Sequence, residues 1–478
     1  MIVMYTRLLI GGRWSDSADE KRFDVVNPAT GDVIAQVASA APADALEACD
    51  SAATAQPGWA AKSPRERSEI LMDCHEVLIE HSQEIADLIT NENGKPQADA
   101  LGEVAYAAEF LRWNAEEAAR LHGSFGVSPA GDKRMIVRHP PVGVVLMITP
   151  WNFPAAMITR KAAPALAAGN TVVIKPAKDT PLTALLVGKL LGDAGVPAGV
   201  INIVPTYSAG EWFEAAVAHR AVRMVSFTGS TGVGRTLLRH SADRVLKTTM
   251  ELGGNAPFIV FADADLDATV EGAMIAKMRH SAQTCTAANR FFVETPIYHE
   301  FVERFSETMK TVTLGNGFDP DVTCGPLINA AAVARVDDLV DKALQDGAKR
   351  IIGHGRSDEK GFFYDPTVLV DVDVPSAITE HEIFGPVAPI IPFSDADRMI
   401  EAANSTEMGL IAYVYTQDLA RGLGVAESLE AGMVGVNRAA VSDAAAPFGG
   451  MKQSGLGREG ASEGLYEFCE TQYIAANW

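Results

Sequence analysis

The sequence has no close pair of cysteines. Its five, Cys49, Cys74, Cys285, Cys324 and Cys469, are odd in number and widely scattered. That spacing offers no zinc site, so no metal is expected, and it fits a reducing compartment better than a disulfide scaffold. No apolar run reaches the ~18–20 residues of a membrane helix. The opening stretch MIVMYTRLLIGGRW interrupts its short apolar run with a charge and a glycine pair, and lacks a signal-peptide cleavage site. A soluble, cytoplasmic protein is expected. Positive charge is also scarce: 40 Lys and Arg stand against 61 Asp and Glu, a formal net charge of −21. Such a surface argues against a nucleic-acid partner, although a few arginines gathered in one pocket still attract an anion locally. There is no internal repeat and no low-complexity linker. With 478 residues, 47% of them hydrophobic, the chain is too long for one core, and two or three domains are expected.

The order of elements is legible from pattern. Short strands and turns open the chain, with NPATG as a turn, and Ala/Glu-rich helices such as EVAYAAEFLRWNAEEAARL fill the region 41–122. From residue 142 strands and helices alternate: GVVLMI, then a helix ending at Gly169, then TVVIKP, PLTALLVGKLLGDAG, INIVP and MVSFTG. The strands are continuously apolar, as in a parallel sheet covered on both faces, and such sheets bind ligands at their carboxyl ends. A second α/β series starts near Glu251. Residues 123–139 and the end of the chain belong to neither series and read as edge strands that need a partner.

Several residues have the right chemistry, and each has a plainer reading. Cys285 in QTCTAANR is a nucleophile or a small buried hydrophobe. Asn152, between the prolines of PWNFP, is an oxyanion donor or the cap of a rigid turn. Glu251 in MELGG is a general base with a raised pKa, or half of a structural ion pair. FTGSTGVG offers Gly229, Ser230 and Gly234 to a phosphate at a helix start, or is an ordinary turn. The glycine-rich EIFGP and APFGGMKQSGLGREG read as loops close to a ligand.

Together, and in this order, these segments resemble the aldehyde dehydrogenase superfamily. VGVVLMITPWNFP, TVVIKPA, FTGSTGVG, MELGGNAP, AQTC, EIFGP and PFGGMKQSGLGREG carry the likeness over nearly the whole chain, with Glu251 and Cys285 34 residues apart. The likeness is greatest to the succinic semialdehyde dehydrogenase branch. It implies two doubly wound α/β domains with a small β oligomerisation element. The NAD(P)-binding domain would comprise 1–122 and 140–251, and the catalytic domain 252–440. Oligomerisation strands would lie at 123–139 and 467–478, and a segment returning to the active site at 441–466. A homo-dimer or homo-tetramer is implied.

The same resemblance assigns roles. Cys285 attacks the aldehyde, Asn152 and the Cys285 N–H hold the oxyanion, hydride leaves to the nicotinamide, and Glu251 activates the water that hydrolyses the thioester. Thr149, Pro150, Trp151, Lys175, Lys178, Gly229, Ser230, Gly234, Leu252, Glu382 and Phe384 would hold the cofactor. Lys178 stands where NAD-preferring relatives often carry Glu, so NADP is expected over NAD. Arg160, Arg279 and Ser442 would anchor a terminal carboxylate beside Phe448, with Arg160 about two turns into the helix after Asn152. The expected reaction is oxidation of succinic semialdehyde to succinate. The same chemistry on glutaric semialdehyde or an uncharged aldehyde is the alternative, and a non-catalytic protein on this scaffold the remote one. Three departures stand out. His280 and Ala282 replace the family's Asn and Gly before the nucleophile, and either a hydrogen bond goes unmade at His280 or its ring titrates. Arg438 and Asp443 are unusual neighbours for Ser442. Ala287 occupies the place where some relatives carry a second cysteine, so no internal disulfide switch is expected.

Overall fold

The computed structural model describes residues 4–357 and 360–478. Residues 1–3 and 358–359, at the start of the predicted cofactor unit and within the predicted catalytic unit, lie outside the described residues. Two large sheets organise the chain. The first runs in the order Arg13–Ser15, Leu8–Ile10, Ile201–Ile203, Thr171–Lys175, Val144–Ile148, Val222–Thr228, Lys247–Glu251, Gly455–Leu456. Its five central strands are parallel, and antiparallel pairs close both edges. Val144–Ile148 and Thr171–Lys175 are buried along their whole length, as their unbroken apolar sequences require. Strand order reverses between Val144–Ile148 and Val222–Thr228. This is the switch point where a doubly wound sheet opens a crevice beyond its carboxyl ends.

The second sheet runs Lys349–Ile352, Thr367–Val370, Val387–Phe393, Ala288–Glu294, Ala256–Val260, Ile411–Tyr415, Met433–Val436. It is parallel except at its first pair. The strand Lys247–Glu251 ends the parallel part of the first sheet, and Ala256–Val260 begins in the second five residues later. The carboxyl ends of one sheet therefore face the amino ends of the other across Leu252, Gly253 and Gly254. Gly254 must lack a side chain, because a Cβ there would stand 2.4 Å from the Cys285 carbonyl oxygen.

The two unpaired-looking segments of the sequence find each other. Gln472–Ala476 pairs with Arg134–Arg138, which pairs in turn with Ser124–Val127. Phe125, Tyr473 and Trp478 of this ribbon remain exposed. The returning segment also contributes more than proximity, since Gly455–Leu456 adds a strand beside Lys247–Glu251. No helix among the described residues is long and apolar enough to cross a membrane.

One helix pair positions the site. The helix Ala156–Ala168 is buried at every residue and stops at Gly169, whose φ of 98° terminates it in the left-handed region. Residues 152–155 precede the helix as a turn, so Arg160 lies just over one turn in, and not the two expected from sequence. The helix has no side-chain cap of its own. Instead Glu103, on the helix Gln97–Ala118, accepts the N–H groups of Ala155 (2.8 Å) and Ala156 (3.3 Å). The other Glu103 oxygen pairs with Lys95, which also donates to the Asn152 carbonyl at 3.0 Å. Both charges are inaccessible to solvent.

Removing one member of a buried pair leaves the other uncompensated, at a cost of about 3–5 kcal/mol. Glu103→Ala is therefore expected to lower the unfolding midpoint in urea sharply. The double variant Lys95→Met/Glu103→Leu removes both charges but leaves the Ala155 and Ala156 N–H groups and the Asn152 carbonyl without these partners. It should therefore recover part of the loss, and equal destabilisation of the two would contradict this account.

Candidate active site

Cys285 follows a strained loop. After the helix Leu266–Met278, His280, Ser281 and Ala282 take φ values of 51°, 53° and 61°, three successive non-glycine residues in the left-handed region. Each costs roughly 1–2 kcal/mol, so the surroundings must hold them. The His280 N–H donates to Asp99 Oδ2 at 3.0 Å, and Ser281 Oγ donates to the Gly325 carbonyl at 3.1 Å. Gln283 Nε2 donates to the Pro326 carbonyl (3.2 Å) while its Oε1 accepts the Ile328 N–H (2.9 Å). Ala282 occupies a conformation that glycine adopts freely, so its methyl makes the turn more costly without changing its path. Both His280 ring nitrogens are buried without a partner. Burial, with Lys95 and Arg279 adding to it, pushes the His280 pKa well below its ordinary value. The imidazole is a neutral wedge, in edge contact with Trp151 (6.3 Å) and Phe153 (5.5 Å).

Asn152, Cys285 and Glu251 converge from three elements. Asn152 Nδ2 donates one proton to the Gln283 carbonyl at 3.0 Å, which leaves its second N–H uncommitted. Among the described residues the Cys285 N–H has no acceptor. Two donors are thus available beside one sulfur. Cys285 is half-buried by exposure. Burial pushes its thiol up to about 12, against the opposing pull of Arg160, with Glu382, Glu251 and Glu459 adding to the rise. Burial therefore favours the uncharged thiol of Cys285 at rest. Both Glu251 carboxyl oxygens are buried and unpartnered. Burial, then the neighbouring Glu459, raises the Glu251 pKa well above the carboxylate range, while Arg160, Lys161 and Arg458 oppose.

Beside these residues lies a cavity of about 230 Å³. Pro150, Trp151, Gly229, Ser230, Leu252, Glu382 and Phe384 line it, together with Asn152 and Cys285. Trp151 and Phe384 meet edge to face at 5.5 Å. Thr228 and Gly253 of the quoted motifs line it too, as do Met157 and Arg335, which no sequence pattern had marked. Arg335 belongs to the helix Ala330–Gln345, where it reads as an ordinary surface cation, and Nη1 donates to the Glu382 carbonyl at 3.1 Å. Burial lifts the Glu382 carboxyl to about 7, and its Oε1 accepts the Gly254 N–H at 3.2 Å.

The cavity lies where a doubly wound sheet holds a dinucleotide. It sits at the switch point of the first sheet, and the helix Thr231–Ala242 starts there with Ser230 making no side-chain cap. The Thr228 hydroxyl is buried without a partner. A Cβ at Gly229 would stand 2.5 Å from the Phe227 ring. Thr149, Lys175, Lys178 and Gly234 do not line this cavity. Thr149 is tied to the Lys175 carbonyl through its N–H, and Gly234 packs under Leu252. Lys175 donates to the Pro176 carbonyl, and burial lowers its pKa to about 8. The Lys178 ammonium lies 4.7 Å over the Tyr207 ring in a separate cavity of about 210 Å³.

The three residues of the implied acid anchor differ in environment. Arg160 is buried and lies 3.5 Å over the Phe448 ring. It stands 2.5 Å from Glu459, close enough for an ion pair but without hydrogen-bond alignment. Lys161 shares the same carboxylate at 2.5 Å. Burial pushes Glu459 up, but Lys161 and Arg160 outweigh it and hold it below the ordinary range. Arg279 is exposed and lies 5.1 Å over Phe153 and 6.0 Å over Tyr106. Among the described residues its guanidinium has no carboxylate partner. Ser442 is half-buried and makes no hydrogen bond to either arginine. Arg438 folds back on the Ala440 carbonyl at 3.1 Å, and Asp443 accepts the Ala445 N–H, so both are held locally.

Residues 14–474 match the aldehyde dehydrogenase family. The succinate-semialdehyde dehydrogenase of Paenarthrobacter nicotinovorans is 51% identical over 92% of this chain and 98% of its own. The glutarate-semialdehyde dehydrogenase of Pseudomonas putida is 47% identical over 97% of this chain and 96% of its own. A crystal structure of an NADP-dependent enzyme of E. coli matches with a TM-score of 0.98 at 45% identity, covering 99% of this chain and 98% of that one. The chain belongs to the aldehyde dehydrogenase family, and its fold is the two-sheet α/β class expected from sequence.

A carboxyl whose pKa is raised becomes a base only as pH climbs toward that pKa. Turnover should therefore rise with pH above the ordinary carboxylate range. In Glu251→Gln, kcat should fall by roughly 10²–10⁴-fold and the rise should flatten. A variant that keeps the wild-type pH profile would remove Glu251 from the role of base.

Proposed function

We propose that this protein oxidises succinic semialdehyde to succinate with NADP. The observation that carries the reading is that Cys285 and Asn152 line one cavity at the switch point of the first sheet, with buried Glu251 acting on Cys285 and the guanidinium of Arg279 unpaired. Ionised Glu251 takes the Cys285 thiol proton, and the sulfur adds to the aldehyde carbon. The resulting oxyanion accepts the free Asn152 N–H and the Cys285 backbone N–H. When bound, NADP supplies the acceptor for the hydride that leaves this carbon. A thioester on Cys285 remains. Glu251, its proton passed to solvent, takes a proton from water, whose oxygen attacks the thioester and releases succinate and the thiol. Pro150, Trp151, Gly229, Ser230, Leu252, Glu382 and Phe384 hold the nicotinamide half in this reading. Raised Glu382 and exposed Arg335 set the charge around its ribose.

The relatives support the substrate class. Two of them are named for four- and five-carbon semialdehydes, both with an anion at the far end. Because Ser442 closes no hydrogen bond on either arginine, glutaric semialdehyde is the second reading. Wild type should favour both semialdehydes over butanal in kcat/KM. Arg279→Ala should lose at least about tenfold on succinic semialdehyde, as expected for a lost hydrogen-bonded charge, and little on butanal. An equal loss on both would refute the carboxylate anchor.

NADP is favoured because Lys178 has no carboxylate partner among the described residues and is free to meet a 2′-phosphate. The ratio of kcat/KM for NADP over NAD should exceed one, and should fall at least about tenfold in Lys178→Glu, on the scale of a lost charge-assisted contact. A ratio insensitive to that change would free Lys178 of the role.

A further inference from the structure

The helix Gln97–Ala118 carries a polar group that neither the fold nor the proposed chemistry uses. Tyr106 presents its ring edge to solvent in part, yet its hydroxyl oxygen is fully covered and has no hydrogen-bond partner. A buried donor left unpaired is destabilising, and a native structure keeps one where a ligand completes it. The surroundings indicate the sign of that ligand. On one side the Arg279 guanidinium lies 6.0 Å over the Tyr106 ring. On the other, Phe110 meets Tyr106 edge to face at 4.8 Å, and Phe110 lies 5.8 Å from the Arg160 guanidinium. Tyr106 is therefore close to one cation and linked through Phe110 to the other. Glu459 already neutralises Arg160, whereas Arg279 has no carboxylate partner among the described residues. An anion entering here would meet one uncompensated charge and one uncommitted hydroxyl.

Three details fit. Burial raises the Tyr106 pKa although Arg160 and Arg279 oppose it, so the phenol remains a hydrogen-bond donor at working pH. Arg279, which faces Tyr106, also lies 5.1 Å over Phe153, whose ring meets His280 at 5.5 Å, five residues before Cys285. Ser442, the hydroxyl that sequence pattern had offered for this task, bonds to neither arginine.

We propose that the Tyr106 hydroxyl donates a hydrogen bond to the terminal anion of the substrate and, with Arg279, sets the preference for an aldehyde carrying negative charge at its far end. The proposal rests on the acid-ended substrate reading above and names a specificity residue that the reading lacks. A phenol is suited to this work, because it adds a directed donor without adding a second charge that would need its own counter-ion in the empty site.

The test is steady-state kinetics of full-length Tyr106→Phe with NADP on two aldehydes of equal length, succinic semialdehyde and butanal. Succinate is titrated as a competitive inhibitor in parallel. Loss of one hydrogen bond to a charged group predicts a roughly ten- to hundredfold rise in KM for succinic semialdehyde, with kcat within about twofold. The succinate inhibition constant should rise in step, and kcat/KM for butanal should stay unchanged. An equal loss on both aldehydes would make Tyr106 a packing residue, and no change on either would leave it without a role. Both outcomes overturn the proposal. If wild type itself handles butanal as well as succinic semialdehyde, the acid-ended reading falls first, and this inference falls with it. If wild type discriminates and Tyr106→Phe discriminates equally well, only Tyr106 is eliminated.

Discussion

The site depends on one buried ion pair, Lys95 with Glu103. Glu103 supplies the cap that the helix Ala156–Ala168 lacks, and Lys95 holds the Asn152 carbonyl. Asn152 then reaches the Gln283 carbonyl, two residues before Cys285. A contact chain starting in the helical layer thus registers the first sheet against the loop that precedes the second. Charges taken wholly out of water keep such a geometry only while every partner stays in place. That makes the pair a strong determinant of position and a poor source of net stability.

Burial has a second consequence at the reacting groups. It pushes Cys285 toward the thiol and Glu251 toward the neutral acid. Both are thereby favoured in uncharged forms, and Glu251 must lose its own proton before it can take one from Cys285 or from water. Arg160 and Lys161 supply the positive charge in this chamber, but Glu459 takes up much of it. The strained run His280–Ala282 is paid for by the same kind of local network, with Asp99, Gly325 and Pro326 each taking one bond from the loop.

Much of the fold was legible in one dimension. Unbroken apolar strands such as Val144–Ile148 announced a covered parallel sheet, and Gly169 marked a helix end that the left-handed φ confirms. The segments that looked partnerless pair with each other, which no local pattern could reveal because they lie more than 300 residues apart. Among site residues, Asn152 and Glu251 stood out through flanking proline and glycine and Cys285 through their company, and the structure lines one cavity with Asn152 and Cys285. Arg335 and Tyr106 did not stand out. Each sits on a helix whose periodicity is fully explained by solvent on one face and core on the other, so nothing in the spacing singled them out.

Sequence alone determined the chemistry that is present: a thiol, an amide, a carboxyl and two arginines, each carried on a segment whose local backbone preference is strong. Tertiary structure decided how those groups are charged and which of them are free. Burial and charge pairing depend on residues far apart in the chain. Glu459 neutralises Arg160 from 299 residues away, while Arg279 is left open. The pKa of Cys285 follows from what covers it, and its neighbours TCTAA say nothing of that. A guanidinium reads the same in any sequence. Only the packed protein separates the one already satisfied from the one that still wants an anion.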